Sequence, residues 1–173
     1  VSTRKAKAVT EELCGREFSA STISRIVQQL DRDLEKFARR RLEKPCPYVI
    51  LDARYEKVRE DGAVRSHAVL IVVGINREGR RCVLAVGTAD RESAAGWEEL
   101  LLGLRRRGLH GVEFVVGDDH AGLGKAIAEV LSEDVWQRCC VHFLRNALDY
   151  LPRKADDDCL MELRRIYDRR NLE

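Results

Sequence analysis

Tyr48-Val49-Ile50-Leu51-Asp52-Ala53-Arg54-Tyr55 is an apolar run with an acid in its middle, and Val112-Glu113-Phe114-Val115-Val116-Gly117-Asp118 is a second run that ends on one. Aspartate is depleted in strands, and an ionised carboxylate in a core is costly unless something pairs with it. A chain that does this twice is expected to hold cations with Asp52 and Asp118. Each acid alone also has a plainer reading. Asp52 would cap a bulge or pair with Arg54 or Arg59, and Asp118 or Asp119 would cap the helix that follows.

Outward from Asp52 the pattern stays β-rich. Runs over 48–55, 65–75 and 81–88, with turns at Glu60-Asp61-Gly62 and Asn76-Arg77-Glu78-Gly79, predict three hairpin-linked strands. Ser93 then caps a helix through Arg107 with Trp97, Leu100, Leu101 and Leu104 inward, closed by Gly108. A fourth strand over 112–117 leads to a helix from about Gly122 to Leu131, and a fifth over 136–141 leads to a helix near His142. The order β-β-β-α-β-α-β-α predicts an α/β fold with a ribonuclease-H-like mixed sheet, its fourth strand returning by a right-handed crossover to lie beside the first.

That adjacency would make neighbours of Asp52 and Asp118, which are 66 positions apart in sequence (118 − 52). They would lie at the carboxyl ends of strands, where open sheets collect ligands. Close carboxylates repel unless a cation lies between them. Mg²⁺ or Mn²⁺ suits such hard oxygen ligands and keeps positions open for water and phosphate. Paired ions about 3.5–4 Å apart serve in-line displacement at phosphorus.

Pro45-Cys46-Pro47 is the clearest break in the chain, because prolines disfavour helix and set an extended lead into the next strand. The region before it, 1–44, reads as two helices. Ala6, Val9 and Leu13 give a helical period that Cys14-Gly15 stops, and Ser19-Ala20-Ser21-Thr22 caps a longer helix with Ile23, Ile26, Val27, Leu30, Leu34 and Phe37 on one face. This is a helix-turn-helix outline, with Ser21, Thr22, Ser24 and Arg25 at the end that would enter a major groove. Plain helix packing is the alternative.

Net charge is only +2, from 31 basic and 29 acidic residues, so bulk charge does not announce nucleic acid. Clusters at 4–7, 39–41, 105–107 and 164–170 offer patches for phosphates, or else the wet faces of helices. The longest apolar stretch, Ala68 to Val73, is far too short to cross a bilayer, so no membrane partner is expected. No charged-then-apolar leader opens the chain, which argues against secretion. Six scattered cysteines without CxxC spacing predict reduced thiols in a cytosol. The chain begins with valine and ends in a charged helical stretch, and the expectation is a piece of a longer protein.

Three segments together resemble one family. Leu51-Asp52-Ala53-Arg54-Tyr55-Glu56-Lys57-Val58-Arg59, Gly117-Asp118-Asp119-His120-Ala121-Gly122-Leu123 and Trp136-Gln137-Arg138-Cys139-Cys140-Val141-His142-Phe143-Leu144-Arg145-Asn146 are similar, in order and spacing, to the bacterial Mutator-type insertion-sequence transposases. The likeness includes Ser2-Thr3-Arg4-Lys5 and Ser19 to Ser24, which in that family belong to a helix-turn-helix region. It implies a DDE transposase on a ribonuclease-H-like core. Asp52 and Asp118 would be the first two catalytic and metal-binding acids, with Mg²⁺ or Mn²⁺ as cofactor. The partners would be double-stranded DNA, both transposon terminal repeats and target, and a homo-oligomer of the full-length protein in the bacterial cytoplasm at the nucleoid. Arg4, Lys5, Ser21, Thr22, Ser24 and Arg25 would bind DNA. The resemblance also implies three parts: 1–44, a partial catalytic domain over 45–152, and the start of an all-helical insertion over 153–173.

Two departures stand out: Gly117 occupies a position where serine is common, and the family's third acid, a glutamate beyond the insertion, is expected outside this chain. Glu162 is in the wrong place to serve, so this piece alone is expected not to cut or join DNA. The C-x-x-H element, Cys139 to His142, lacks the further ligands of a zinc site and is given a supporting role. Arg59, His120, Arg145 and Asn146 are further supporting candidates. His120 would meet phosphate or shape the turn before Gly122, and Arg145 and Asn146 would hold phosphate oxygens or cap the helix. Trp97 would stack on a base or, more simply, fill the core. Two rival functions remain. One is a truncated DNA-binding regulator or inactive remnant, and the other is a metal-dependent nuclease of the same fold.

Overall fold

The computed structural model describes residues 9, 11–13, 15, 18–60, 62–132, 135–150 and 156–167. The chain divides into two compact units, Val1–Arg41 and Leu42–Glu173. In the first, helix α1 spans Ala20–Arg39 and starts where the sequence places it: Ser19 is extended, and its hydroxyl accepts from the Thr22 backbone N–H at 3.1 Å. Lys36 and Arg39 in the last turn suit the negative end of the helix dipole. The shorter helix expected upstream falls largely on residues outside those described.

The second unit is a five-stranded mixed sheet with its helices. Its strands are β1 (Tyr48–Glu60), β2 (Ala63–Ile75), β3 (Arg81–Ala89), β4 (Phe114–Gly117) and β5 (Val135–Arg138). The helices are α2 (Ala94–Arg106), α3 (Ala121–Val130), α4 (Cys140–Leu148) and α5 (Asp156–Tyr167). The spatial order is β3-β2-β1-β4-β5, with β1–β2 and β2–β3 antiparallel and β1–β4 and β4–β5 parallel. An antiparallel meander followed by parallel strands returning beside β1 is the ribonuclease-H-like arrangement anticipated from the element order.

Boundaries differ from the sequence expectation for local reasons. β1 runs on to Glu60 because β2 pairs with it all the way to Ala63, at a tip where Gly62 has φ +81°. β4 begins at Phe114, after the N–H groups of Glu113 and Phe114 have both turned to the Pro47 carbonyl. β5 ends at Arg138 because the chain turns into α4 at Cys140, right after the Cys139 N–H makes the last bond of the ladder to the Gly117 carbonyl, 2.6 Å away.

One face of the sheet carries the core. Val49, Leu51, Leu70, Val72 and Val115 pack with Trp97, Leu101 and Leu104 of α2 and Leu123, Ala126 and Ile127 of α3. Each fully buried Val, Leu or Ile among them contributes roughly 1.5–3 kcal/mol. α2 is capped as expected, the Ser93 hydroxyl accepting from the Gly96 N–H at 3.2 Å. It ends at Gly108, whose φ of +98° suits glycine and where a would-be Cβ would crowd the Leu42 carbonyl oxygen at 3.0 Å. The segment before β1 is tied down by Leu42 N–H to Arg107 O and Cys46 N–H to His110 O. Five described cysteines, Cys46, Cys82, Cys139, Cys140 and Cys159, are free thiols. No helix among the described residues is long and apolar enough to cross a membrane.

Candidate active site

The last backbone pair between β1 and β4 joins Ile50 to Val116. Asp52 and Asp118 each lie two residues further on (52 − 50 and 118 − 116), just past the point where the strands stop pairing. Faces alternate along a strand. Leu51 is buried, and a Cβ built on buried Gly117 would stand 3.7 Å from the Leu51 Cβ, so these two point together into the core. By that alternation the positions of Asp52 and Asp118 fall on the opposite face.

Asp52 is not a buried charge. Its side chain is 51% exposed, and among the described residues no polar or charged residue is buried in the core. The expectation that burial forces a cation onto this acid is corrected: beyond Ile50 β1 has lost its β4 neighbour, so the position is wet and tolerates a carboxylate. The plainer pairing is also absent, because Arg54 is engaged with Glu56 at 2.6 Å. Beside Asp52 stands His142 of α4, its Nε2 3.9 Å from Oδ1.

Asp118 holds one oxygen in place locally, Oδ1 accepting from the Asp119 N–H at 2.7 Å. Asp119 itself is paired with Arg138 at the end of β5, Nη1 to Oδ2 3.1 Å. The guanidinium fork reaches further. With the Asn146 amide oriented to satisfy both ends, its oxygen accepts from Arg138 Nη2 at 3.1 Å and its nitrogen donates to the His142 carbonyl at 3.2 Å. Arg138 also lies 5.3 Å over the Phe143 ring. Arg138 thus ties the turn after β4 to the first turns of α4, which is what brings His142 beside Asp52.

Two carboxylates just past the ends of neighbouring strand pairing are hard oxygen donors of the kind Mg²⁺ or Mn²⁺ takes. They fit as a partial donor set, since among the described residues no three His, Cys, Asp or Glu side chains gather to hold an ion. That also leaves Cys139 and His142 without partners for zinc. Cys139 is the N-cap of α4 and makes no side-chain capping bond.

The remaining candidates are dispersed. Arg4 and Lys5 lie outside the described residues. Ser21 and Thr22 turn their hydroxyls to the Ser19 cap at 2.8 and 2.9 Å, while Ser24 and Arg25 are exposed on α1. Arg59 is exposed on the outer half of β1, and Arg145 is exposed on α4. Trp97 is core, wholly buried. His120 is the N-cap of α3, without a capping bond from its side chain. Sequence reasoning missed Arg138, whose signal was a lone cation ending a parallel strand next to the acids. It also missed Glu92, a carboxylate directly before a helix cap.

The family model described as "Transposase, Mutator family" matches residues 1–173. The chain is 64% identical over 173 residues to the transposase for insertion sequence element ISRM5 of Rhizobium meliloti (strain 1021), covering all of this chain and 44% of that protein. It is 40% identical over 155 residues to the transposase for insertion sequence element IS256 in transposon Tn4001 of Staphylococcus aureus, covering 89% and 40%. It therefore spans less than half the length of these relatives. Among solved structures, the HTLV-2 integrase catalytic core domain in complex with magnesium is similar at a TM-score of 0.38 and 14% identity, over 75% of this chain and 90% of that one.

Proposed function

Because this chain belongs to the Mutator family of transposases, we propose that Asp52 and Asp118 are the first two metal-binding acids of a DDE-type DNA transposase. The whole protein would cleave transposon ends and join them to target DNA. The observation that supports this reading is the β1–β4 register, whose last pair, Ile50 with Val116, stands two residues before each acid.

Bound Mg²⁺ or Mn²⁺ would polarise the scissile phosphate and lower the cost of activating a water or 3′-hydroxyl. The residues around it divide the work. Arg138 occupies Asp119 and so leaves Asp118 as the acid free to ligate. His142 sits at the Asp52 carboxylate, positioned through Asn146 and the α4 backbone. Exposed Arg145, Arg59, Ser24 and Arg25, with Arg4 and Lys5, would meet phosphates. The partners are double-stranded DNA and further copies of the protein, in the bacterial cytoplasm at the nucleoid. The third acid belongs to the longer protein.

The test uses the whole protein with duplexes bearing its transposon ends. Asp52→Asn and Asp118→Asn should each abolish Mg²⁺-dependent cleavage while leaving end binding unchanged in a mobility-shift assay. Cleavage retained by either variant refutes the assignment. Hydrolysis without joining in the wild type would favour the nuclease reading, and salt-sensitive binding without any cleavage would favour the regulator.

A further inference from the structure

Glu92 plays no part in the mechanism above, yet it is a largely enclosed carboxylate, with its side chain 13% exposed. It lies between β3 and α2, next to the cap Ser93. Its Oε1 accepts a 2.9 Å hydrogen bond from the indole N–H of Trp97, and its backbone N–H donates to the Tyr55 hydroxyl at 3.3 Å. The same Oε1 stands 3.5 Å from Nδ1 of His120, two residues past Asp118. Gly122 permits this meeting, since a Cβ there would fall 2.7 Å from the backbone nitrogen of Ala94 and push the starts of α2 and α3 apart.

His120 Nδ1 is buried and makes no hydrogen bond. A buried polar atom left unmatched is costly, so the Glu92 oxygen beside it, its neighbour at 3.5 Å, matters. That neighbour is an acceptor, and the matching tautomer carries the proton on Nδ1 and a lone pair on Nε2. Nε2 is not among the buried unmatched atoms, and the side chain is 41% exposed.

We propose that Glu92 is a positioning residue: anchored by Trp97, it holds His120 in the Nδ1–H tautomer so that Nε2 accepts a hydrogen bond from a hydroxyl donor at the acids. The donor is the attacking water or the DNA 3′-hydroxyl rather than a phosphate oxygen, which offers no proton. This rests on the reading of Asp52 and Asp118 as the active site. The 3.5 Å separation is of the kind that tightens when a partner engages the other nitrogen.

Long-range ¹⁵N–¹H imidazole spectra of this chain, at a pH where the ring is neutral, read the tautomer without DNA or metal. His120 should appear as Nδ1–H, and Glu92→Gln, which keeps shape and the Trp97 acceptor, should shift it toward Nε2–H. In the whole protein Glu92→Gln should lower kcat for end cleavage on the order of tenfold, with KM for DNA unchanged. Trp97→Phe should move both readouts the same way by less. A wild-type Nε2–H tautomer, or one indifferent to Glu92→Gln in a folded protein, overturns the proposal. If Glu92→Gln fails to fold, the wild-type spectrum alone decides. Cleavage by Asp52→Asn would instead remove the active-site reading and leave the tautomer result standing.

Discussion

Helices α1 and α2 begin alike and end differently. Each is capped by a serine hydroxyl, Ser19 and Ser93, and each repeats apolar residues at helical spacing. In α2 the stripe is the core, with Trp97 and Leu101 at 0% exposure. In α1 only Ile23 is buried, and Ile26, Leu30 and Leu34 are more than half exposed. Periodicity therefore specifies a helix and a face, but not what covers the face. α2 is held because β3 delivers it onto the sheet and α3 packs against it, whereas α1 relies on its caps and on side-chain pairs such as Arg39 with Glu35.

The contrast breaks first, if it breaks, at the two stripes. Trp97→Ala should cost about 3–5 kcal/mol in urea unfolding of the sheet unit, a large share of the total for a domain of this kind. Leu30→Ala should stay within about 0.5 kcal/mol. Equal costs would mean that α1 is covered after all. The helix ends sharpen the same point at a smaller scale. Gly108→Ala should cost about 1–2 kcal/mol in the same measurement, because φ +98° is a left-handed conformation and the Leu42 carbonyl crowds the new methyl. Arg40, which ends α1 with φ −60°, carries no such constraint.

The smallest effect is at the caps. Ser93→Ala should lower global stability by about 1 kcal/mol. Ser19→Ala should show as faster amide exchange within α1, leaving the sheet's unfolding midpoint unchanged. A shift of that midpoint by Ser19→Ala would join the two units into one cooperative block.

Much of the fold was legible. The alternation at 65–75 and 81–88, the Ser93 cap, the Gly108 stop and the switch to parallel strands gave the element order, and with it the neighbouring of β1 and β4. The family was legible in three motifs. The reason first given for the acids was not sound: Asp52 looked buried because its neighbours are apolar, but exposure there depends on where β4 stops pairing. Arg138 and Glu92 were missed because their importance lies in contacts across 19 and 28 positions of sequence (138 − 119 and 120 − 92). No local pattern records such a pairing.

The amino-acid order by itself determined the helices, strands, caps and turns, since each follows from side-chain periodicity and backbone preference over a few neighbouring residues. Only the tertiary structure decided which apolar stripe is covered, that Asp52 meets water, and that Asp119 is claimed by Arg138 while Asp118 is not. Those outcomes turn on strand register and on chain segments far apart in sequence, and exposure and ion pairing are properties of the assembled surface rather than of any stretch of chain.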